Sequence, residues 1–314
     1  MSGALTPVDV VLATNRAGPY LPATLDSLLR QTYEGWNLFV VDDGSPDPRG
    51  LAAIVAAVPN ATLIRQSALG VSAARNAGLD RGAAELVVFL DDDDVWVPTR
   101  LERQVEALES TPAAVACYSG GQYIDAAGVV TGSWNAHSAT SHGFLGGRVP
   151  LPRIVTLMVR REAALRAGAF DTAYRQAEDH DFILRLAQLG EMVPVDAPLV
   201  HYRRHPGNAS AAGALEGRAS SRAMLLKQVR HAEAEGRRDT AELLRQNLAR
   251  QAPLWAEDNL RQLRVHARRR ALRELLHELS WLMSRDPRPA ARVVLRRARA
   301  RVIRPSPDGS SADL

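Results

Sequence analysis

Glu85-Leu86-Val87-Val88-Phe89-Leu90-Asp91-Asp92-Asp93-Asp94 carries an apolar stretch straight into four consecutive carboxylates. A short unbroken run of β-branched and large apolar residues is the pattern of a strand covered on both faces, as in parallel sheets lying under helices. Working toward the N-terminus, Val8-Asp9-Val10-Val11-Leu12-Ala13 repeats the pattern. Asn37 to Val41 does so again and ends in Asp42-Asp43-Gly44-Ser45, and Thr62 to Arg65 is a further strand. Amphipathic stretches separate these runs. Pro22 to Gln31 has Leu25, Leu28 and Leu29 at helical spacing, and Leu51 to Ala57 stops before Pro59. Ser72 is placed to cap a helix reaching Asp80, and Thr99 to Glu109 forms another. This alternation predicts an α/β fold with a mostly parallel sheet flanked by helices.

The middle of the chain reads differently. Ala114 to Ser119, Gln122 to Ile124 and Val129-Val130 predict short strands around an Asp-Ala-Ala-Gly turn. Thr131 to Pro152 predicts a long loop, and such loops usually carry function or move. Ile154 to Arg160 predicts a strand, and Arg161 to Ala167 and Asp179 to Leu189 predict helices. From Gly213 only helical pattern remains, broken near Gly236 and Pro253. It continues to about Trp281, stops at Asp286-Pro287-Arg288-Pro289 and resumes to Ile303. The expected organisation is a catalytic domain over 1–211, an all-α extension over 212–304 and a disordered tail over 305–314.

Of 314 residues, 46% are hydrophobic and 24% charged, which excludes a wholly disordered chain. Cys117 is the single cysteine, so an internal disulfide and a cysteine-rich zinc site are excluded. No run approaches the roughly 18 apolar residues of a membrane helix. Met1 to Pro7 has neither a basic start nor an apolar signal core. These features predict a soluble, cytoplasmic protein. Lys227 is the only lysine among 39 basic residues, a bias that abundant alanine traces to coding composition. Between Arg261 and Arg304, fourteen arginines face Glu274, Glu278 and Asp286, a local charge of +11 in a chain of net +4. Two readings stand for this stretch. It is either a packed helix with a solvated arginine face, or a peripheral contact with the anionic inner face of the cell membrane. No nucleic-acid-binding motif accompanies it.

In an open parallel sheet, ligands bind beyond the carboxyl ends of the strands. Asp42-Asp43 and Asp91 to Asp94 both fall on that edge. Clustered carboxylates repel unless a cation or hydrogen bonds compensate, and hard oxygen ligands suit Mg²⁺ or Mn²⁺. Such ions are usually shared with substrate phosphates. A Gly-x-x-x-x-Gly-Lys loop and a Gly-x-Gly-x-x-Gly turn after the first strand are both absent, so P-loop and dinucleotide folds are disfavoured. A nucleotide diphosphate held through a metal remains.

Val41-Asp42-Asp43-Gly44-Ser45, Gly70-Val71-Ser72-Ala73-Ala74-Arg75-Asn76-Ala77-Gly78 and Phe89 to Pro98 resemble successive motifs of the family 2 glycosyltransferases. Gly168-Ala169-Phe170-Asp171, Glu178-Asp179-His180-Asp181 and Tyr202 to Ser210 continue the resemblance in order, over roughly residues 7–211. It implies the GT-A fold, which is Rossmann-like, and an inverting transfer from a nucleotide-diphosphate sugar donor to a glycan or lipid-linked acceptor. It further implies that Asp43 holds the donor's base and that Arg75 lies near base and phosphates. Asp91 and Asp93 would bind the metal and Asp92 would lie near the ribose, while His205 is either a capped structural histidine or a contact to the diphosphate. Asp179 is implied as general base, with Glu178 in reserve. One departure is that the family's Pro-Thr-aromatic-Asn after the first strand reads Leu12-Ala13-Thr14-Asn15-Arg16. Ala13 stands at the base-contacting threonine position, with Asn15 beside it among the donor-binding candidates.

The residue types suit single displacement. A carboxylate takes the acceptor's proton, the metal neutralises the leaving diphosphate, and a helix N-terminus favours an ionised Asp179. Trp134 and Trp96 are candidates to lie near a sugar ring, Trp96 equally a candidate for the core. Two rival functions are a sugar-1-phosphate nucleotidyltransferase and a non-catalytic nucleotide-sugar-binding module. The first lacks its Gly-rich loop at Asn15-Arg16-Ala17-Gly18, and intact Asp93 and Asp179 argue against the second.

Overall fold

The computed structural model describes residues 5–208 and 214–266. They fall in two compact units, Met1–Arg245 and Gln246–Leu314. The Arg-rich stretch beyond residue 266 and the tail at 305–314 lie outside the described residues.

The first unit is built on one sheet. β1 (Val8–Thr14), β2 (Trp36–Asp43), β3 (Ala61–Gln66) and β4 (Leu86–Asp91) run parallel in the order β3-β2-β1-β4. The sheet continues through β8 (Leu157–Arg160), β6 (Ala116–Ile124), β9 (Met192–Arg203) and β5 (Val95–Trp96), with β7 (Val130–Trp134) paired to β6. β6 and β9 run with the first four strands, while β5, β7 and β8 run against them. The apolar runs that decided the fold are its interior: Val8, Val10, Val11, Leu12 and Leu86 to Leu90 are at most 1% exposed. Asp9 is the polar residue in this core, and its carboxylate accepts from Asn37, the Ala84 amide and Arg161.

Helices cover the sheet. They are α1 (Leu21–Leu29), α2 (Pro48–Ala56), α3 (Val71–Arg81) and α4 (Arg100–Glu109), then the short α5 (Ser141–Leu145) and α6 (Arg161–Arg166), and α7 (Glu178–Ala187). α3 approaches β1 through Gly78, where an added Cβ would stand 2.4 Å from Val11 Cγ1.

Several expectations are corrected. Ser72 does not cap α3. The helix starts two residues earlier than a Ser72 cap would place it, after Gly70, whose φ of +96° suits glycine. Ala116 to Ile124 is one strand, not two, because parallel pairing with β9 carries it through register shifts at Gly120 and Gly121. Thr131–Pro152 is not a single loop. Its start is β7, and Thr140 Oγ1 caps α5, which buries Phe144 and Leu145. Only Leu157–Arg160 of the expected strand is extended, after a 3₁₀ turn at Ile154–Thr156.

The first helix past residue 213, α8 (Ala214–Ala234), is bound to α7. Gln228 Nε2 donates to the Asp181 backbone and carboxylate, and Gln188 donates to Gln228. Gly236, at φ +72°, ends this pair before α9 (Arg238–His266). α9 runs through Pro253 without the expected break. Among the described residues no helix is long and apolar enough to cross a membrane.

Candidate functional site

Parallel register brings the strand ends together. Ala13 stands beside Val41 and Asp91, and Thr14 beside Asp42. There the sheet edge opens into a cleft of about 730 Å³. The cleft is lined by Ala13, Asn15, Asp43, Arg75, Asp91, Asp92, Asp93, Glu178 and Asp179, so nine of the ten expected residues meet in one place.

Asp43 ends β2 and is 7% exposed. Its Oδ1 accepts from the Leu69 amide and Gln66 Nε2, both at 2.7 Å, and its Oδ2 from the Gly70 amide at 2.8 Å. This one side chain clamps the end of β3 to the start of α3. Asp42, beside it, accepts from the Ser45 amide and pairs with Arg65, which braces the turn.

One turn into α3, the Arg75 side chain is 5% exposed and bridges Asp91 at 3.0 Å and Glu178 at 3.3 Å. Burial works against its charge, but Asp91 and Glu178 outweigh it and hold the guanidinium pKa above its ordinary value. Asn76 fixes the next loop through reciprocal 2.8 Å bonds with the Phe170 backbone. The Ala-Arg-Asn and Gly-Ala-Phe-Asp motifs thus meet in space.

The acidic turn is held from three sides. Thr14 Oγ1 donates to Asp92 Oδ2. Asp93 Oδ2 bonds His205 Nε2 at 3.0 Å and accepts from Asn208 Nδ2 at 3.2 Å. Asp94 is fully buried. Its Oδ1 accepts from the Arg203 amide, and its backbone oxygen accepts from Thr24 Oγ1. Burial pushes the Asp92 carboxyl up to about 6, and burial with Asp91 raises Asp93. Asp94 is raised well above the carboxylate range by burial and by Asp91 and Asp93. Negative charge here is under-compensated by the protein itself.

Among the described residues no three or more His, Cys, Asp or Glu side chains are grouped to chelate a metal. A resident protein cage is therefore absent there. The all-oxygen pair Asp91 and Asp93 fits an ion that takes its remaining ligands from a diphosphate.

Opposite the turn, α7 begins at Glu178, after Ala177 at φ +69°. Glu178 is locked to Arg75, and its pKa is raised by burial and Asp179. Asp179 follows, half-buried, with Oδ1 accepting from the His180 amide at 2.8 Å.

Other expectations fall elsewhere. His205 does not line the cleft. It bonds Asp93 and stands 4.8 Å, centroid to centroid, from the Tyr20 ring. Trp96 is core, 2% exposed, with the Arg100 guanidinium 3.9 Å over its ring. Trp134 covers Gly121 and Tyr123 and does not line the cleft. The sequence reading missed Thr14, Arg153 and Asn208 at the site. Thr14 and Asn208 lie inside stretches already singled out, whereas Arg153 had no sequence signal.

A model of glycosyl transferase family 2 matches residues 9–172. The chain is 26% identical over 213 residues to an uncharacterized glycosyltransferase of Haemophilus influenzae, covering 65% of this chain and 70% of that protein. It is 25% identical over 210 residues to the Escherichia coli UDP-Glc:alpha-D-GlcNAc-diphosphoundecaprenol beta-1,3-glucosyltransferase WfaP, covering 65% and 80%. Among solved structures, TarS 1-349 of S. aureus in complex with UDP-GlcNAc superposes with a TM-score of 0.61 at 16% identity, over 80% of this chain and 79% of that one.

Proposed function

The chain belongs to glycosyl transferase family 2, and from that premise we propose that it moves a hexosyl group from a uridine diphosphate sugar to a hydroxyl of a lipid-linked glycan, inverting the anomeric carbon. The observation that carries the reading is the single cleft holding Asp43, Arg75, Asp91 to Asp93 and Asp179 at the carboxyl edge of the sheet. The donor and acceptor classes are those named for the Escherichia coli relative.

The nucleotide lies over the β1 and β2 ends. Asp43 Oδ2 accepts one protein bond and has capacity for a second donor from the base. Asp92, oriented by Thr14, faces the ribose. Asp91 and Asp93 would hold Mg²⁺ or Mn²⁺, which when bound neutralises charge gathering on the leaving diphosphate. Asp93 is presented for this by His205 and Asn208. The acceptor hydroxyl oxygen forms a bond to C1 as the C1–O bond to UDP breaks, and the hydroxyl proton passes to Asp179. Asp179 suits the base better than Glu178, whose carboxylate is tied to Arg75.

Asp179→Asn is expected to lower kcat by about 10²-fold or more while sparing UDP binding, since the base acts on the acceptor. Asp93→Asn is expected to weaken Mn²⁺-dependent UDP binding. Near-normal transfer by Asp179→Asn, with Glu178→Gln inactive, would assign the base to Glu178. UDP affinity indifferent to Mn²⁺ would remove the metal from the scheme.

A further inference from the structure

Among the described residues, three arginines that line this cleft, Arg16, Arg153 and Arg175, form no ion pair, and Arg153 alone of the three is held in an aromatic cage. Arg153 lines the cleft, half-buried. Its Nη2 donates to Tyr123 Oη at 2.7 Å. Its guanidinium lies 5.3, 5.1 and 5.2 Å from the ring centroids of Tyr123, Trp134 and Tyr202. Among the described residues it forms no ion pair, in contrast to Arg75, which is neutralised by Asp91 and Glu178. Guanidinium held over aromatic faces is a recurrent stable arrangement. Here it fixes the charge in place at the cleft wall and leaves donor N–H groups unspent.

Topology says which substrate this charge meets. From β4, which carries Asp91, the sheet steps through β1 to β2 on one side and through β8 to β6 on the other. At about 4.8 Å per strand, Asp43 and the Tyr123 end of β6 stand about 10 Å to opposite sides of the acidic turn. The nucleotide occupies the Asp43 side. The opposite side, where Arg153, Tyr123 and Tyr202 gather, is left for the acceptor. An anionic acceptor entering beside Asp91, Asp93 and Asp179 meets repulsion, and a caged arginine on its own side of the cleft offsets it.

We propose that Arg153, held by Tyr123, Trp134 and Tyr202, is an acceptor-side anion site that takes a phosphate or diphosphate ester carried by the acceptor. This rests on the glycosyltransferase reading above and adds the residue that selects a phosphorylated acceptor over a neutral glycan. Arginine suits the role because its planar fork meets phosphate oxygens in pairs.

The test is calorimetry on the full chain, saturated with UDP and Mn²⁺, for the parent, Arg153→Gln and Arg153→Lys. Three probes are titrated: a short-chain alkyl diphospho-N-acetylglucosamine, the matching alkyl glycoside without phosphate, and a glycerol phosphodiester oligomer. The first stands for a lipid-linked source and the third for a polymer source. The parent is expected to bind one phosphorylated probe at least tenfold more tightly than the neutral glycoside. Arg153→Gln is expected to lose about ten- to a hundredfold for that probe and nothing for the neutral one. Arg153→Lys should fall between. UDP titrated in the presence of Mn²⁺, without any acceptor probe, into each variant reports both folding and the donor side. Equal affinity for phosphorylated and neutral probes in the parent overturns the proposal. So does an Arg153→Gln loss that appears equally in UDP affinity, because the arginine then serves the donor. Failure of the parent to bind UDP at all would instead overturn the transferase reading, and this proposal with it.

Discussion

Replacing Asp43 by asparagine should unfasten the nucleotide side of the site from within. The carboxylate accepts three hydrogen bonds and is 7% exposed. Asparagine keeps a single acceptor oxygen. With that oxygen facing the Leu69 amide and Gln66, the new NH₂ meets the Gly70 N–H, donor against donor. One hydrogen bond to a charged group is lost, worth about 1.5–3 kcal/mol, and the two that survive now meet a neutral acceptor and weaken. The expected cost is about 2–4 kcal/mol, read by urea unfolding at pH 7 with circular dichroism. Gly70→Ala separates the clamp from direct donor contact. An alanine Cβ there meets nothing within 4 Å, so its cost is the backbone strain of φ +96°, ψ +163°, a region essentially reserved to glycine, about 1–3 kcal/mol. Both changes loosen the first turn of α3, which presents Arg75, and both should weaken UDP binding. An Asp43→Asn protein within about 1 kcal/mol of the parent would refute the clamp argument. Unchanged UDP affinity in Gly70→Ala, once its destabilisation is confirmed, would show that Asp43 acts on the base alone.

Burial pushes the Cys117 thiol up to about 12. The native state therefore keeps a proton that the unfolded chain releases near pH 8.5, and this contribution is full below that pH and lost as pH rises toward 12. Cys117→Ala should flatten the alkaline loss of stability by up to about 1.4 kcal/mol per pH unit, and an unchanged slope between pH 9 and 11 would contradict it. Gly78→Ala should cost about 1–3 kcal/mol through overpacking against Val11. Val11→Ala in the same chain should recover part of that loss, and strictly additive costs in the double variant would mean that the contact is not the cause.

The legible part of the fold is the part whose signal is local. β1 and β4 are buried along their length, so each appears as a nearly continuous apolar run, interrupted in β1 by Asp9 alone, and each ends in residues that line the cleft. β9 escaped notice for a physical reason. Met192 to Arg203 carries Pro194 and Pro198, which normally argue against an interior strand. The structure tolerates Pro198 because it lies opposite Gly120, where the parallel ladder shifts register and the β6 partner has no side chain, and Pro194 because β5 pairs β9 only at Val200 and His201, which leaves one side of β9 without a strand partner at Pro194. Missing β9 also meant missing that Gly120-Gly121 continues β6 and does not end it.

The same divide runs through the site. Asp43 and the Asp91 to Asp94 turn could be read because adjacent carboxylates at a strand end are unusual within a few residues of sequence. Arg75 and Asp179 became readable once the order of the motifs suggested a family. The cage around Arg153 has neither property. Tyr123 comes from β6, Trp134 from β7, Tyr202 from β9 and Arg153 from the segment before β8. Trp134 and Tyr202 lie in stretches the sequence singles out, but nothing in it joins them to Tyr123 or Arg153, and only the pairing of β6 with β7, β8 and β9 brings the four together. On the proposed reading the donor side rests on chain-local carboxylates, whereas the acceptor side depends on non-local pairing. A substitution that shifts the β6–β9 register should therefore disturb acceptor recognition before it disturbs UDP.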